Sequence, residues 1–87
     1  MKIENFVRII ISQQDKKLIA EFHHGKIVDK YIIDKAEEFL GAVDRFIRKS
    51  RIKLKFFNKV RLEFHDTGIL TERVIRAIIL GLSFSQN

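Results

Sequence analysis

The stretch TERVIRAIILGLSF, which spans Thr71–Phe84, predicts a helix that is apolar over most of its circumference. Its core-facing stripe follows the i, i+4, i+8 spacing of a helix and comprises Val74, Ile75, Ile78, Ile79 and Leu82. A second flank carries Ala77, Leu80 and Phe84. Gly81, in the same half, leaves room for another backbone to come close. A helix that is apolar on two sides needs burial on two sides, so we expect this one to contact another chain as well as its own core.

The residues that precede the stretch predict where the helix begins. Asp66-Thr67-Gly68 predicts the turn that leads into it. Thr71 is a good N-cap, and Leu70 and Ile75 stand at the N′ and N4 positions of a hydrophobic staple.

The length and composition of the chain indicate one folded domain. Its 87 residues suffice for a single core between two packed layers, and a hydrophobic content of 46% with eight phenylalanines argues against disorder. The absence of cysteine excludes disulfides and thiolate metal sites. Lys2, Glu4 and Arg8 interrupt the early apolar residues, unlike a signal peptide, and no apolar run approaches the ~20 residues that cross a bilayer. We expect a cytoplasmic protein.

The charge is +6, from 17 Lys and Arg against 11 Asp and Glu, and much of the excess lies in RFIRKSRIKLKFFNKVR, Arg45–Arg61. Two interpretations are open. The cations could bind the phosphates of RNA or DNA, in which case the contacting residues are Arg45, Arg48, Lys49, Arg51, Lys53 and Lys55. They could instead be a solvated helix end, where cations complement the helix dipole, followed by a basic loop.

The first third of the chain predicts a three-stranded meander. Ile3–Ser12 is almost continuously apolar after Val7, as in a central strand. Leu18–His23 alternates between apolar and polar residues, and Ile27–Ile33 follows a hairpin turn at His24-Gly25-Lys26.

A helix and a fourth strand follow. Asp34 stands at the capping-box spacing from Glu37, and the apolar face of the predicted helix comprises Ala36, Phe39, Leu40, Val43, Phe46 and Ile47. Arg51–Lys59 is a basic connection, with Leu54, Phe56 or Phe57 folded beneath it. Val60–His65 then alternates, and its inward-facing residues are Val60, Leu62 and Phe64.

The predicted order β-β-β-α-β-α indicates an α/β domain. The fourth strand should return parallel, through a right-handed crossover. Its clean alternation implies that one face of the sheet is wet, so both helices should cover the other face. We therefore expect a two-layer half-domain with both helices on one face of a four-stranded mixed sheet.

Three short motifs accompany this order of elements. EEFLGAVDRFIR, Glu37–Arg48, keeps Leu40 and Asp44 of a helix of the type S-E-x-L-L-P-x-I-D-x-L-L-K. Ile52–Lys55, IKLK, stands where I-x-L-K follows that helix. The third motif, G-x-G-S-F-T-G-L-R-I-G-x-A-x-A-K-G-L-A, is matched in spacing by Arg73, Ala77, Gly81 and Leu82.

These features resemble the first lobe of the actin-like ATPase and sugar kinase superfamily, which has a ribonuclease H-like fold. More narrowly, they resemble the N-terminal lobe of the TsaB family, the non-catalytic subunits of the machinery that makes threonylcarbamoyladenosine in tRNA. Ile11-Ser12-Gln13 replaces the family's Asp-Thr-Ser turn, His65–Leu70 keeps one glycine of its glycine-rich loop, and the second lobe is absent. The resemblance implies a truncated scaffold whose helices pack on a TsaD-like catalytic subunit or on a second copy, with tRNA contacted only indirectly.

No constellation of residues indicates catalysis. The residues available to a metal ion are His23, His24, Glu63, His65 and Asp66, but their spacing matches no zinc motif, and we expect no metal. No Ser-His-Asp order or P-loop is present. Thr67-Gly68, before a helix, could hold an anion or be an ordinary turn. We expect a protein that is not an enzyme and has no cofactor.

The predicted site is the outer ridge of the two helices, and its residues are Phe39, Val43, Arg73, Ala77, Leu80, Gly81 and Phe84. The expected partner is a second copy or a TsaD-like subunit. One alternative is a small basic RNA-binding module that uses the wet sheet face and the Arg45–Arg61 strip. Another is an actin-like fragment that retains affinity for a nucleotide.

Overall fold

The computed structural model describes residues 7–51 and 60–84, with side chains as far as Leu82. In chain order, the elements are β1 (Val7–Gln14), β2 (Lys17–His24), β3 (Ile27–Ile33), a 3₁₀ turn (Ala36–Glu38), α1 (Phe39–Ser50), β4 (Val60–His65) and α2 (Ile69–Phe84). This is the predicted order of strands and helices. The predictions for residues 3–6 of the first strand, for Leu54, Phe56 and Phe57 and for Lys53 and Lys55 fall outside the described residues.

The four strands form one mixed sheet in the order β3-β2-β1-β4. β1 is antiparallel to β2 and parallel to β4, and β2 is antiparallel to β3. The parallel pairing runs from Val7 opposite Val60 to Ser12 opposite His65. The predicted meander and the parallel return of the fourth strand are therefore confirmed.

Two tight turns connect the strands of the meander. Asp15 in the first turn and Gly25 in the second have φ of 56° and 60°, respectively. Only Gly25 and Lys26 separate β2 from β3, and a positive φ at the first of two loop residues is typical of a type II′ hairpin. Glycine adopts this conformation without the steric penalty that a Cβ atom would bring.

The core lies on one face of the sheet, under both helices. Alternate residues of β1 and β2, among them Ile9 and Phe22, are fully buried there together with Phe46 of α1 and Ile75 of α2. The ring of Phe22 stacks on Phe46, with 4.8 Å between the ring centroids. Val60, Leu62 and Phe64 of β4 pack against the same cluster, as predicted from their alternation. Both helices thus lie on the same side of the sheet, also as predicted.

The start of α1 differs from the prediction in one detail. Glu38, rather than Glu37, supplies the capping carboxylate. Its Oε2 accepts hydrogen bonds from the backbone N–H groups of Asp34 (3.1 Å) and Lys35 (2.9 Å). The side chain of Asp34 forms an ion pair with Lys17. The cap is shifted by one residue because a 3₁₀ turn precedes the α-helix.

The predicted start of α2 is wrong by two residues. The helix begins at Ile69, and the N–H of Glu72 donates to the carbonyl of Gly68 at 3.1 Å. Thr71 therefore lies inside the helix and is not its N-cap. Leu70 is 76% exposed while Ile75 is in the core, so the predicted staple does not form. No helix in residues 7–51 and 60–84 is long and apolar enough to cross a bilayer.

Candidate protein interface

The outer surface of α2 is apolar and uncharged over its second half. Ile75 and Ile79 are buried beneath the helix, and Val74, Ile78 and Leu82 pack partly against the same core. On the other side of the helix, Ala77, Leu80 and Gly81 are exposed, and Leu80 is 59% exposed. No charged residue follows Arg76 within α2. A helix surface without charges in this position is typical of the centre of a protein interface.

A groove of about 420 Å³ runs between the two helices on the same outer side. It is lined by Glu37, Leu40, Val74, Ala77 and Ile78. Four of these five side chains are apolar. The groove extends the apolar surface of α2 towards α1, so the two helices together present one continuous face. We call it the helical face, and its residues are Leu40, Arg73, Val74, Ala77, Ile78, Leu80 and Gly81.

The helical face contains four of the seven predicted interface residues. Arg73, Ala77, Leu80 and Gly81 are all exposed. The prediction is wrong for Phe39 and Val43, which are 0% and 1% exposed in the core and cannot contact a partner in this conformation. The side chain of Phe84 lies outside the described part of the structure.

The errors on α1 have a geometric reason. The part of its circumference that faces the sheet is centred on Phe39, Val43 and Phe46, so Phe39 and Val43 point into the core and not along the outer ridge. Leu40 is rotated by about 100° from Phe39, which places it at the margin of that stripe and in the groove. On the two helices, Leu40, Ile69 and Leu70 are exposed large apolar residues that the sequence analysis did not assign to the interface. If the core-facing stripe of α1 had been centred on Phe39 and Phe46, Leu40 would have been identified as an exposed residue at its margin.

The basic residues of α1 lie along its second half and are partly neutralised. Arg48 Nε lies 3.3 Å from Asp44 Oδ2, and Lys49 Nζ lies 2.9 Å from Asp29 Oδ1. Arg51 ends the helix in a left-handed conformation, with φ of 59°. Arg45 makes no ion pair with another residue of 7–51 or 60–84. The predicted strip is therefore interrupted by carboxylates rather than uniformly cationic.

A small polar cluster lies where β3 passes beneath α1. Burial raises the pKa of the Tyr31 hydroxyl, the charge of Asp29 raises it further, and Lys49 and Arg45 oppose the change. The hydrogen bond to Asp29 raises the pKa of Lys49. The Tyr31 hydroxyl and Asp29 Oδ2 are buried and have no hydrogen-bond partner within the described residues. The cluster thus retains unused capacity for hydrogen bonds.

The opposite face of the sheet, here called the open face, carries charged and polar side chains together with four aliphatic ones, Ile10, Ile19, Val28 and Ile32. Arg8 and Glu63 link β1 to β4, since Arg8 Nη2 donates to both carboxylate oxygens of Glu63, at 3.0 and 2.9 Å. On β2, the hydrogen bond with His23 lowers the pKa of Glu21. The phenylalanine and tyrosine side chains of the described strands, Phe22, Tyr31 and Phe64, all lie on the helix side. The open face of these strands therefore lacks the rings that an RNA-recognition sheet uses for stacking.

The histidines do not converge on a metal site. His23 and His65 share the open face, as their positions predicted, but they lie two strands and four residues apart, roughly 16 Å by strand geometry. Within residues 7–51 and 60–84, no three histidine, aspartate or glutamate side chains are placed to share an ion. His23 instead contacts Glu21 at 2.6 Å.

The segment before α2 adopts the predicted turn. Asp66 has φ of 59°, and the buried hydroxyl of Thr67 has no hydrogen-bond partner in the described part of the chain. Thr67 is itself only partly buried. The turn therefore offers one hydroxyl and one glycine to an anion, which is no more than an ordinary turn offers.

No protein-family model, curated protein or solved structure matches the chain.

Proposed function

We propose that this protein is a non-catalytic docking subunit that associates with a second copy of itself through the helical face. The observation that carries the proposal is the second half of α2, where Ala77, Leu80 and Gly81 are exposed and no side chain is charged. Burying this surface removes apolar area from water without separating a charge from its solvent.

The charge of the chain favours a second copy at this surface in particular. Two molecules that each carry +6 repel one another, and the repulsion is strongest where lysines and arginines face each other. The second half of α2 is the part of the helical face from which cations are missing. Two copies can therefore approach here with less electrostatic cost than through the basic end of α1.

The small residues of α2 suit contact between two helices. Ala77 and Gly81 are four residues apart and so lie on one side of the helix, and a Cβ atom built on Gly81 meets no atom within 4 Å. In a two-fold arrangement the same patch serves both copies, with each Leu80 packing against the other molecule. A stable interface of this kind buries ~1,200–2,000 Å² in total.

The resemblance to the TsaB family belongs to this proposal. The support for a ribonuclease H-like half-domain is the observed order of strands and helices together with the mixed sheet. On this proposal the protein acts as a scaffold related to tRNA modification, and its contribution is to hold a conformation or a partner rather than to react. On the same proposal, the helical face also binds a TsaD-like subunit.

Light scattering on a sizing column tests the proposal, with absorbance at 260 and 280 nm recorded together. We expect twice the mass of the chain and no nucleic acid. Leu80→Arg should give the mass of a single chain and an unchanged circular dichroism spectrum, because Leu80 is exposed in the monomer. Gly81→Arg should behave in the same way.

Ile32→Arg is the matched control. Ile32 is 67% exposed on β3, at the opposite edge of the sheet from the strand β4 that leads into α2, and the substitution adds the same charge. The control should remain a dimer. A single-chain mass for the unmodified protein up to about 1 mM would refute self-association, since a weaker constant corresponds to less than ~4 kcal/mol.

The same column distinguishes the RNA-binding alternative. A monomer that co-elutes with RNA and releases it in salt would favour the basic strip over the helical face. The carboxylates of Asp44 and Asp29, which pair with Arg48 and Lys49 of that strip, and the lack of stacking rings on the described open face favour the docking subunit instead.

A further inference from the structure

The free side of β3 is prepared to receive another strand. Among the described residues β3 pairs only with β2, so its other side is an edge of the sheet. Only two residues separate His24 from Ile27. In such a hairpin His24 and Ile27 pair with each other through two backbone hydrogen bonds. The alternation that follows directs the backbone N–H and C=O groups of Val28, Lys30 and Ile32 away from β2. Six backbone hydrogen-bonding groups therefore face outwards.

A groove runs beside this edge on the helix side of the sheet. Its volume is about 330 Å³, and its lining residues are Tyr31, Ile32, Ile33, Glu38, Gly41, Ala42 and Arg45. A Cβ atom on Gly41 would meet nothing within 4 Å, so this wall of the groove is open. A strand added to β3 would direct alternate side chains into the groove, and the residue opposite Tyr31 would lie closest to α1.

Two charged side chains line the groove, Glu38 and Arg45, and only Arg45 can attract a negatively charged group. Arg45 forms no ion pair with residues 7–51 or 60–84, whereas the nearby Lys49 is held by Asp29 at 2.9 Å. The Glu38 carboxylate, which also lines the groove, accepts hydrogen bonds from the backbone N–H groups of Asp34 and Lys35. A guanidinium without an ion-pair partner fits a carboxylate, which accepts charge-assisted hydrogen bonds from it.

We infer that the β3 edge is a docking site for an extended peptide segment of an acidic partner protein. The segment adds a fifth strand to the sheet and places an aspartate or glutamate opposite Tyr31, where Arg45 receives it. Main-chain hydrogen bonds to Val28, Lys30 and Ile32 supply the affinity, and the groove supplies the specificity. The site is separate from the helical face, so it does not depend on the proposed self-association.

A second copy of this chain fits the edge poorly. In an antiparallel pairing of two β3 strands, the register with the most hydrogen bonds is centred on Lys30 and places it opposite the same residue of the second copy. Like charges directly opposite one another destabilise a strand pair. The overall charge of +6 disfavours the same approach and favours an acidic segment.

Titration of the isotopically labelled protein with one pair of synthetic peptides tests the inference by nuclear magnetic resonance. The probe is acetyl-Thr-Val-Thr-Glu-Thr-Val-Thr-amide, and its matched control has Gln in place of Glu. We expect the amide signals of Val28, Lys30 and Ile32 to shift, and the Glu peptide to bind about tenfold more tightly than the Gln peptide. Arg45→Gln should abolish that tenfold preference.

Two variants of the edge separate backbone pairing from side-chain effects. Lys30→Pro removes an outward N–H that β2 does not use, and proline is tolerated at such edge positions. Lys30→Ala removes the same side chain but keeps the N–H. We expect the proline variant to lose peptide binding and the alanine variant to keep it, and if the proline variant does not fold, the Arg45→Gln comparison decides.

Three results would overturn the inference. These are equal affinities for the two peptides, signal shifts that fall on the open face or on α2, and no shift at β3 up to about 1 mM peptide, the limit of weak specific binding.

Discussion

The two helices cover the same face of the sheet in different ways. α1, with 12 residues, buries Phe39, Ala42, Val43 and Phe46. α2 has 16 residues and a more apolar sequence, yet only Ile75 and Ile79 are buried among its described side chains. In α1 the positions that point outwards are mostly charged, whereas in α2 they include Leu70, Ala77 and Leu80. The arrangement of apolar residues around the helix, rather than their number, decides how much of each helix is buried.

This difference shows which helix stabilises the monomer and which one is available for contact. The phenylalanines of α1 complete an aromatic cluster with Phe22. The apolar surplus of α2 does not enter the core of the described chain. Substitutions should therefore affect folding when made in α1 and association when made on the outer side of α2.

The largest effect is expected in the aromatic cluster. Phe46→Ala should lower the free energy of unfolding by ~3–5 kcal/mol, since it removes a fully buried ring that stacks on Phe22. Leu80→Ala, on the outer side of α2, should change it by less than about 0.5 kcal/mol in the monomer. Urea denaturation followed by circular dichroism measures both values. Similar losses for the two variants would mean that the helices do not differ in the way described.

The exposed glycines, one in each helix, allow a comparison in which the expected change in stability is smaller. Gly41 in α1 and Gly81 in α2 each have open space where a Cβ atom would stand. Gly41→Ala and Gly81→Ala should each stabilise the monomer by about 0.5–1 kcal/mol, because alanine loses less conformational entropy in a helix. Thermal unfolding at concentrations where light scattering gives a single chain measures this gain.

At higher concentration the two glycine variants should differ. Gly81→Ala adds a methyl group where two α2 helices approach and should weaken dimer formation, while Gly41→Ala should leave it unchanged. Equal dimer affinities for both variants would argue against contact at Gly81.

The smallest effects concern two arginines, one in each helix, that each form an ion pair with an acidic residue one turn earlier. Among residues 7–51 and 60–84, Arg48 in α1 pairs only with Asp44, whereas Arg76 in α2 lies 3.9 Å from Glu72 and also 5.0 Å from the centre of the Phe64 ring. Arg48→Gln should cost no more than about 0.5 kcal/mol, and Arg76→Gln about 0.5–1 kcal/mol.

Salt provides the check on this last comparison. Raising the ionic strength from 0.1 to 1 M should remove most of the Arg48 effect, because that pair is exposed. Arg76→Gln should still lower the free energy of unfolding at 1 M salt. When Phe64→Leu is also present, this remaining loss should be smaller. A larger loss for Arg48→Gln than for Arg76→Gln would contradict the assignment.

Residue patterns predicted most of the fold but only part of the site. Strand alternation and hairpin residues located the meander, and the apolar face of α1 was correct except at its margin, where Leu40 proved exposed. The start of α2 was missed because Thr71 has good capping chemistry whether or not the chain is already helical there. Phe39 and Val43 were assigned to the interface because spacing alone does not show which of several apolar residues point towards the sheet.

The groove at the β3 edge could not have been predicted in this way. Its lining residues come from a strand and from the 3₁₀ turn and helix that follow it, and only the sheet order leaves β3 at an edge. The isolation of Arg45 from carboxylates, within residues 7–51 and 60–84, is likewise a matter of distance and not of sequence spacing.

The elements, their order and the uncharged second half of α2 can be read from residue patterns, because they follow from local periodicity and from the positions of charged residues along the chain. Which apolar residues lie in the core, and which edge of the sheet remains open, became apparent only in the folded structure. The same is true of which cations are neutralised. Those outcomes depend on how elements distant in the chain pack against one another. The local spacing of residues does not determine this packing.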